Sequence, residues 1–302
     1  MVEELRTVFG ERLRLSEPLH RHTSFRIGGP ADVWIEVSSA AEIAAAQRVA
    51  ARAGLPLLVF GGGTNVLVSD RGIRGIVVKL GRAYNTLEWT PGDSATRVRA
   101  GGAARFKKLV TEASRRALTG LEFAEGIPGS LGGGLLMNAG AFGGEIAGVL
   151  DAVVGVHPEH GEQRLAKGEL RFGYRFFDLP AGFIVTHVEF TLHPGAPAEI
   201  EARIADAKRR REAHQPLGQP NAGSIFKNPP GHHAGRLIES LGLKGTRVGG
   251  AMVSERHANF IVNTGNASAA DVHALMQRIA EAVWAEKSVR LVPEIKLLGE
   301  WD

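Results

Sequence analysis

Thirty-nine of the 302 residues are glycine, and many of them fall in three clusters, at 61–63, 126–134 and 140–144. A residue without a Cβ loses the most freedom on folding, so glycine clusters mark backbone that must turn sharply or lie close to a ligand. The first cluster sits in VFGGGTNVLVSD (59–70), where an apolar strand runs into Gly61, Gly62 and Gly63 and another extended segment follows. A P-loop would need a Gly-Lys-Ser/Thr ending, and the dinucleotide fingerprint would need a third glycine where Val66 stands; neither is present. A run of backbone N–H groups able to curl round an anion remains, with Thr64 and Asn65 as further donors. A tight connection between strands is the competing reading. The second cluster, GIPGSLGGGLLMNAGAFGGE (126–145), offers Gly126, Ser130, Asn138 and Gly140 to a phosphate or to the polar rim of a flat ring. Together the two stretches point to one large nucleotide cofactor lying along the protein.

Other classes are excluded by what is missing. No apolar run approaches the ~18–20 residues a membrane span needs. With no cysteine, there is no disulfide, thiolate metal site or catalytic thiol. The N-terminal segment is charged and has no secretory pattern, so a cytoplasmic protein is expected. The net charge of +4 is modest and aromatics make up only 6% of the chain, so the interleaved basic and stacking residues of a nucleic-acid binder are lacking. The run Lys208–Arg211 is expected to be a solvated helix face, and a mild positive field suits an anionic small molecule.

Periodicity divides the chain into three parts. Over 1–80, ADVWIEV (31–37) predicts a strand and AAEIAAAQRVAARA (40–53) a helix ended by Gly54 and Pro56. LPLLVF, VLVS and IVVKL predict further strands. Over 81–197, LEWT and TRVRAG predict strands, and apolar residues at 106, 109, 110, 113 and 117 predict a helix from Arg105 to Leu118. Strands at 151–157 and 183–192 follow, and Pro194, Gly195 and Pro197 mark a boundary. Over 198–302, a charged helix to His214 and a helix near 234–242 precede a strand at Asn259–Val262. An amphipathic helix from Ala269 to Glu286 opens with Ser268 and Asp271 in capping-box spacing. A last strand, Glu294–Leu298, is free to pack back on the N-terminal parts. The class is α+β.

Chemistry is less legible. Ser224, in NAGSIFKNP (221–229), lacks the GxSxG elbow of a hydrolase nucleophile, and His214 has no evident partner. His157/His160 and the pair His232-His233 lack converging carboxylates, so no metal site is expected. Three polar positions stand in apolar or tight settings: Tyr174-Arg175 in FGYRFF, Ser224, and Glu294 in LVPEIKLL. An arginine, a hydroxyl and an acid together can bind and polarise a carboxylate and pass a proton. Each alone is equally a core ion pair, a turn serine or a strand-edge acid.

Six motifs, in order, carry a resemblance: TSFRIGGPAD (23–32), GGGTNVLVSD (61–70), EGIPGSLGGGLLMNAGAFGGEI (125–146), FGYR (172–175), NAGSIFKNP (221–229) and PEIKLLG (293–299). Over nearly its whole length the chain resembles the UDP-N-acetylenolpyruvoylglucosamine reductases of peptidoglycan precursor synthesis. The resemblance implies a two-subdomain FAD-binding unit of the vanillyl-alcohol-oxidase (PCMH) type, over 1–80 and 81–197, and a C-terminal α/β substrate domain over 198–302. The resemblance further implies FAD bound tightly and non-covalently, its pyrophosphate on Gly61–Asn65 and its ring against 126–144. NADPH reduces it and leaves; a UDP-sugar enolpyruvyl ether then takes a hydride at C3. Arg175 and Glu294 correspond to the residues that bind and polarise the substrate carboxylate, Glu294 acting as an acid or through water. Ser224 corresponds to the proton donor to C2. Tyr174, Asn228 and Lys244 are implied to anchor the sugar nucleotide. No obligatory protein partner, nucleic acid or membrane is implied.

Two positions depart from the family pattern. Phe177 stands where a serine usually follows Tyr-Arg, which leaves the orientation of Arg175 open. The chain between Arg175 and Thr191 is too short for the tyrosine-bearing loop of one subgroup, placing this sequence with the subgroup that lacks it. Two other readings are weighed: an oxidase of the same superfamily acting on a sugar or alcohol, and a nucleotide-sugar-binding protein without catalysis. The presence of Arg175, Ser224 and Glu294 speaks against the second.

Overall fold

The computed structural model describes residues 1–301. The chain forms two compact units and passes between them repeatedly. One unit takes Met1–Arg14, Val33–Gly62 and Gly75–Arg211; the other takes Leu15–Asp32, Gly63–Arg74 and the chain from Glu212 onward.

The first unit contains a helix, Ala40–Ala53, bounded as its caps dictate: Ser39 accepts from the Glu42 N–H, and Gly54 leaves the helix at φ 63°. Its buried stripe, Ile43, Ala46, Val49 and Ala50, shares a core with Val33, Ile35, Ile76 and Val78. The strands Pro30–Val37, Ile73–Leu80 and Leu57–Val59 lie side by side here in that order, with the last two parallel. A second, antiparallel sheet runs Gly161–Ala166, Leu150–His157, Ile184–Pro194, Thr96–Gly101, Leu87–Pro91. The register between Leu150–His157 and Ile184–Pro194 slips at Val154/Gly155. Only glycine fits at 155, because a Cβ there would lie 2.4 Å from the Ile184 carbonyl oxygen.

Two local expectations for this unit are corrected. The helix expected over Arg105–Leu118 covers only Phe106–Arg115. Ala117 turns the chain out at φ 53°, and Leu118–Thr119 becomes a short strand paired with His193 and Pro194. Leu118 is buried there as a strand residue rather than a helical one. In the second glycine cluster, Leu131–Leu135 is a short helix in which Ser130 is the N-cap. Three glycines hid it from any reading by propensity.

The second unit is built around the helix Ala269–Lys287. Ser268 and Asp271 form the expected capping box. Asp70 adds a second cap, its carboxylate accepting from the N–H groups of Ala269 (2.8 Å) and Ala270 (3.0 Å). Val272, Leu275, Ile279 and Val283 lie in one core with Phe226, Val253, Ile261 and Leu67. The strand expected at Asn259–Val262 is Ile261–Asn263, because residues 257–260 close a turn in which the Phe260 N–H donates to the His257 carbonyl at 3.0 Å. The last strand is Lys296–Leu298, paired in parallel with Val66–Val68, so Glu294 precedes it instead of heading it.

Candidate active site

In the first unit the two glycine-rich stretches meet backbone to backbone. A Cβ on Gly62 would lie 2.6 Å from Gly129 Cα and 3.0 Å from Ser130 N; one on Gly61 would lie 2.9 Å from Ser130 Oγ. The close approach accounts for these two glycines, and it brings Gly61, Gly62 and Ser130 of the candidate cofactor set together. The Ser130 hydroxyl accepts from the Gly133 N–H at 3.4 Å. Lys79, in the strand Ile73–Leu80, donates from Nζ to the Gly61 carbonyl at 2.9 Å. Its ammonium loses proton affinity chiefly by burial, opposed by Glu36 and reinforced by Arg105. With the Gly61 carbonyl held, the N–H groups of Gly61, Gly62 and Gly63 make no hydrogen bond to another described residue. Gly63, at φ 65°, is buried. Gly62 is exposed and Gly61 half-buried, so open N–H groups on consecutive glycines stand accessible to the phosphates of a nucleotide cofactor.

A second cluster of the same unit joins Asn138, Gly140, Tyr174 and Arg175. Asn138 is fully buried, at φ 40°, and its amide is engaged on both sides. Nδ2 donates to the Gly173 carbonyl (3.1 Å), and Oδ1 accepts from the Ala147 N–H (3.0 Å). Asn138 therefore fixes the turn before Arg175. Tyr174 and Arg175 form the two-residue tip between the paired strands Arg171–Gly173 and Phe176–Asp178. Arg175 has φ 55°, uncommon for a residue with a Cβ. Its Nη2 donates to the Gly140 carbonyl at 3.2 Å, and its guanidinium lies 5.1 Å from the Tyr174 ring centroid. These contacts orient the arginine. Phe177, at the position where the family usually has serine, is buried in the core and stacks on Phe172 at 6.1 Å.

The second unit holds Ser224, Glu294, Asn65, Asn228 and Lys244. Ser224 is half-buried, next to buried Ile225 and Phe226, in a segment clamped from both sides. On one side Ile225 N–H donates to the Asn259 carbonyl (2.9 Å). Asn259 also bonds Phe226 twice, Oδ1 accepting from its N–H (3.0 Å) and Nδ2 donating to its carbonyl (2.8 Å). On the other side the Glu294 N–H donates to the Ile225 carbonyl at 2.7 Å and Lys227 N–H donates to Val292. Asn65 Nδ2 donates to the Glu294 carbonyl at 3.3 Å. The Ser224 hydroxyl has no hydrogen-bond partner among the described residues, so no base activates it as a nucleophile. Asn228 Oδ1 accepts from the Ala234 N–H, capping the helix Ala234–Ser240, and Lys244 pairs with Glu239 at 2.5 Å.

The expected solvated run also needs correction. Lys208, Arg209 and Arg210 are exposed, but Arg211 turns inward and donates from Nε to the Glu125 carbonyl at 2.8 Å. His157 lies at the hairpin end between Leu150–His157 and Gly161–Ala166, stacked on His160 at 4.5 Å. Its Nδ1 accepts from the N–H groups of Glu159 and His160, a turn role, and the turn does bring a carboxylate to the pair, ligand atoms of His157, Glu159 and His160 lying within 4.8 Å of one another. Lys79 and Asn259 carry no assigned role in the sequence reading, and Arg211 figures there only in the run expected to face solvent. Lys79 alone left a signal there, as a cation inside the apolar strand IVVKL.

Residues 31–157 match the FAD binding domain family, and residues 215–298 match the C-terminal domain of UDP-N-acetylenolpyruvoylglucosamine reductase. A Symbiobacterium thermophilum protein described as UDP-N-acetylenolpyruvoylglucosamine reductase 2 is 47% identical over 302 residues, covering 99% of this chain and 97% of its own. The chain belongs to the UDP-N-acetylenolpyruvoylglucosamine reductase family. A Geobacter metallireducens reductase is 44% identical over 96% of this chain and 95% of its own. The crystal structure of the reductase from Thermus caldophilus aligns with a TM-score of 0.81 at 38% identity, over 95% of this chain and 98% of that one. The α+β architecture, with an FAD-binding part and a C-terminal domain particular to the family, is thus as the sequence led us to expect. The chain is an FAD-dependent oxidoreductase of peptidoglycan precursor synthesis. No helix among the described residues is long and apolar enough to cross a membrane.

Proposed function

We propose that the family reaction is carried here by Arg175, Ser224 and Glu294, with NADPH as reductant and a UDP-sugar enolpyruvyl ether as substrate. FAD, when bound, supplies the hydride. Gly61–Asn65 hold its diphosphate through backbone N–H groups, and Gly126, Ser130, Asn138 and Gly140 shape the wall against its ring, Asn138 through the turn it fixes. Arg175 grips the substrate carboxylate and Glu294 helps polarise it. As hydride joins C3, the pair from the C2–C3 double bond collects on C2 and the carboxylate, which the guanidinium stabilises. Ser224 then breaks its O–H bond to form the C2–H bond, and its alkoxide recovers a proton from solvent. A hydroxyl is a weak acid, but a carbanion-like centre is basic enough to take its proton.

The observation that carries this reading is the clamp on Ser224: a hydroxyl on backbone fixed from both sides, with no base bonded to it. That is what a proton donor needs and what a nucleophile could not use. Tyr174, Asn228 and Lys244 anchor the sugar nucleotide. We assign 1–80 and 81–197 to flavin binding and 198–302 to the substrate, supported by the two family matches. We infer a cytoplasmic location, because both reactants are multiply charged nucleotides that do not cross a membrane unaided. Purified protein should be yellow and should bleach with NADPH under anaerobic conditions. Its colour should return on adding UDP-N-acetylglucosamine enolpyruvate; failure of that return would refute the substrate assignment.

A further inference from the structure

Arg211 has no part in the scheme above, yet it stands beside the residues that hold Arg175. Its Nε is fixed to the Glu125 carbonyl at 2.8 Å, and its guanidinium lies 5.3 Å from the Phe142 ring centroid. A Cβ on Gly126 would lie 2.6 Å from Arg211 Cδ, so Gly126 leaves the space in which the stem runs. Arg175 reaches the same hairpin, Gly140–Glu145, two residues away, through the Gly140 carbonyl. Phe142, at φ 53° and 46% exposed, is a bulky residue held in an uncommon conformation beneath this cation. Burial lowers the proton affinity of Arg211, Glu125 opposes the shift and the charge of Arg175 adds to it. Two guanidinium groups thus gather at one short hairpin, Arg175 at the Gly140 carbonyl and Arg211 over the Phe142 ring, and like cations drawn to one element suit an anion.

We propose that Arg211 is the second cation of an oxyanion site whose first cation is Arg175. The ligand is planar with one negative charge spread over neighbouring atoms, which matches the flat donor fork of arginine. Two sources have that chemistry: the carboxylate of the enolpyruvyl ether, and the N1–C2–O2 edge of the reduced flavin ring. The proposal rests on the reductase reading, so the wild-type half-reactions are measured first; their absence would overturn that reading and not this one.

The test uses Arg211→Gln and Arg211→Lys in the FAD-loaded enzyme. It reads flavin content, the midpoint potential of bound FAD without substrate, and KM and kcat for the enolpyruvyl substrate. A KM raised at least tenfold at unchanged potential supports the site with the substrate carboxylate as its anion. A tenfold shift of the flavin equilibrium toward the oxidised form, about 30 mV downward for a two-electron couple, supports it with the flavin edge. Arg211→Gln with full flavin content and wild-type potential, KM and kcat overturns the proposal. If that variant does not fold, Arg211→Lys decides, because it keeps the charge and loses the fork. A threefold or greater change in KM or in the flavin equilibrium supports the site, and wild-type values overturn it.

Discussion

Replacing Asn259 by alanine removes the two side-chain bonds that hold Phe226, at 3.0 and 2.8 Å, from a residue only 4% exposed. Phe226 is itself 2% exposed, so water cannot readily replace the lost partner. A buried backbone group left unsatisfied costs about 1–3 kcal/mol, which puts the loss at about 2–6 kcal/mol for two groups. Against a typical total of about 5–15 kcal/mol, this should appear as a clear fall in the urea midpoint at unchanged slope. Asn259→Asp keeps the acceptor for the Phe226 N–H and loses the donor, so it should retain part of the difference. Function should follow: the segment that carries Ser224 loosens, and reoxidation by substrate slows more than reduction by NADPH. A loss below about 0.5 kcal/mol, or equal slowing of the two half-reactions, would refute the clamp.

Other outcomes follow from the same geometry. Gly62→Ala places a methyl 2.6 Å from Gly129 Cα, where only backbone could move; we expect a flavin-depleted protein destabilised by about 1–3 kcal/mol, measured by absorbance per chain and thermal melting. Glu42 bonds Arg12 at 2.8 and 2.7 Å, and that bond is the main cause holding its carboxyl below the ordinary value of 4.5. Its contribution to stability is therefore complete above that value and lost as pH falls through the lower folded-state one. Glu42→Gln should lower stability at neutral pH and flatten its acid dependence below about pH 4.5, as acid titrations in urea would show.

Local signals were legible where a short stretch decides the structure alone. Gly54 ends its helix because a left-handed stop acts within a turn, and Ser268 with Asp271 starts another because a capping box does the same. Leu118 was misassigned because its stripe is helical while its partner, Pro194, lies far along the chain. The helix Leu131–Leu135 escaped notice because glycine argues against it and packing overrides the argument. The sequence suggests ligand-facing glycine loops, but only the structure shows Gly62 lying on Gly129. The roles of Arg175, Ser224 and Glu294 came from the family resemblance, since residue spacing left a turn serine and an edge acid equally open. Asn259 and Arg211 act through tertiary contacts that no periodicity records.

The central claim is that Ser224 gives a proton and forms no covalent bond. Stopped-flow measurement of both half-reactions in Ser224→Ala tests it directly. Flavin reduction by NADPH should match the wild type, while reoxidation by the enolpyruvyl substrate should slow by about 10²–10⁴-fold, the usual weight of a positioned acid. Equal loss in both half-reactions, or reoxidation at the wild-type rate, would contradict the account.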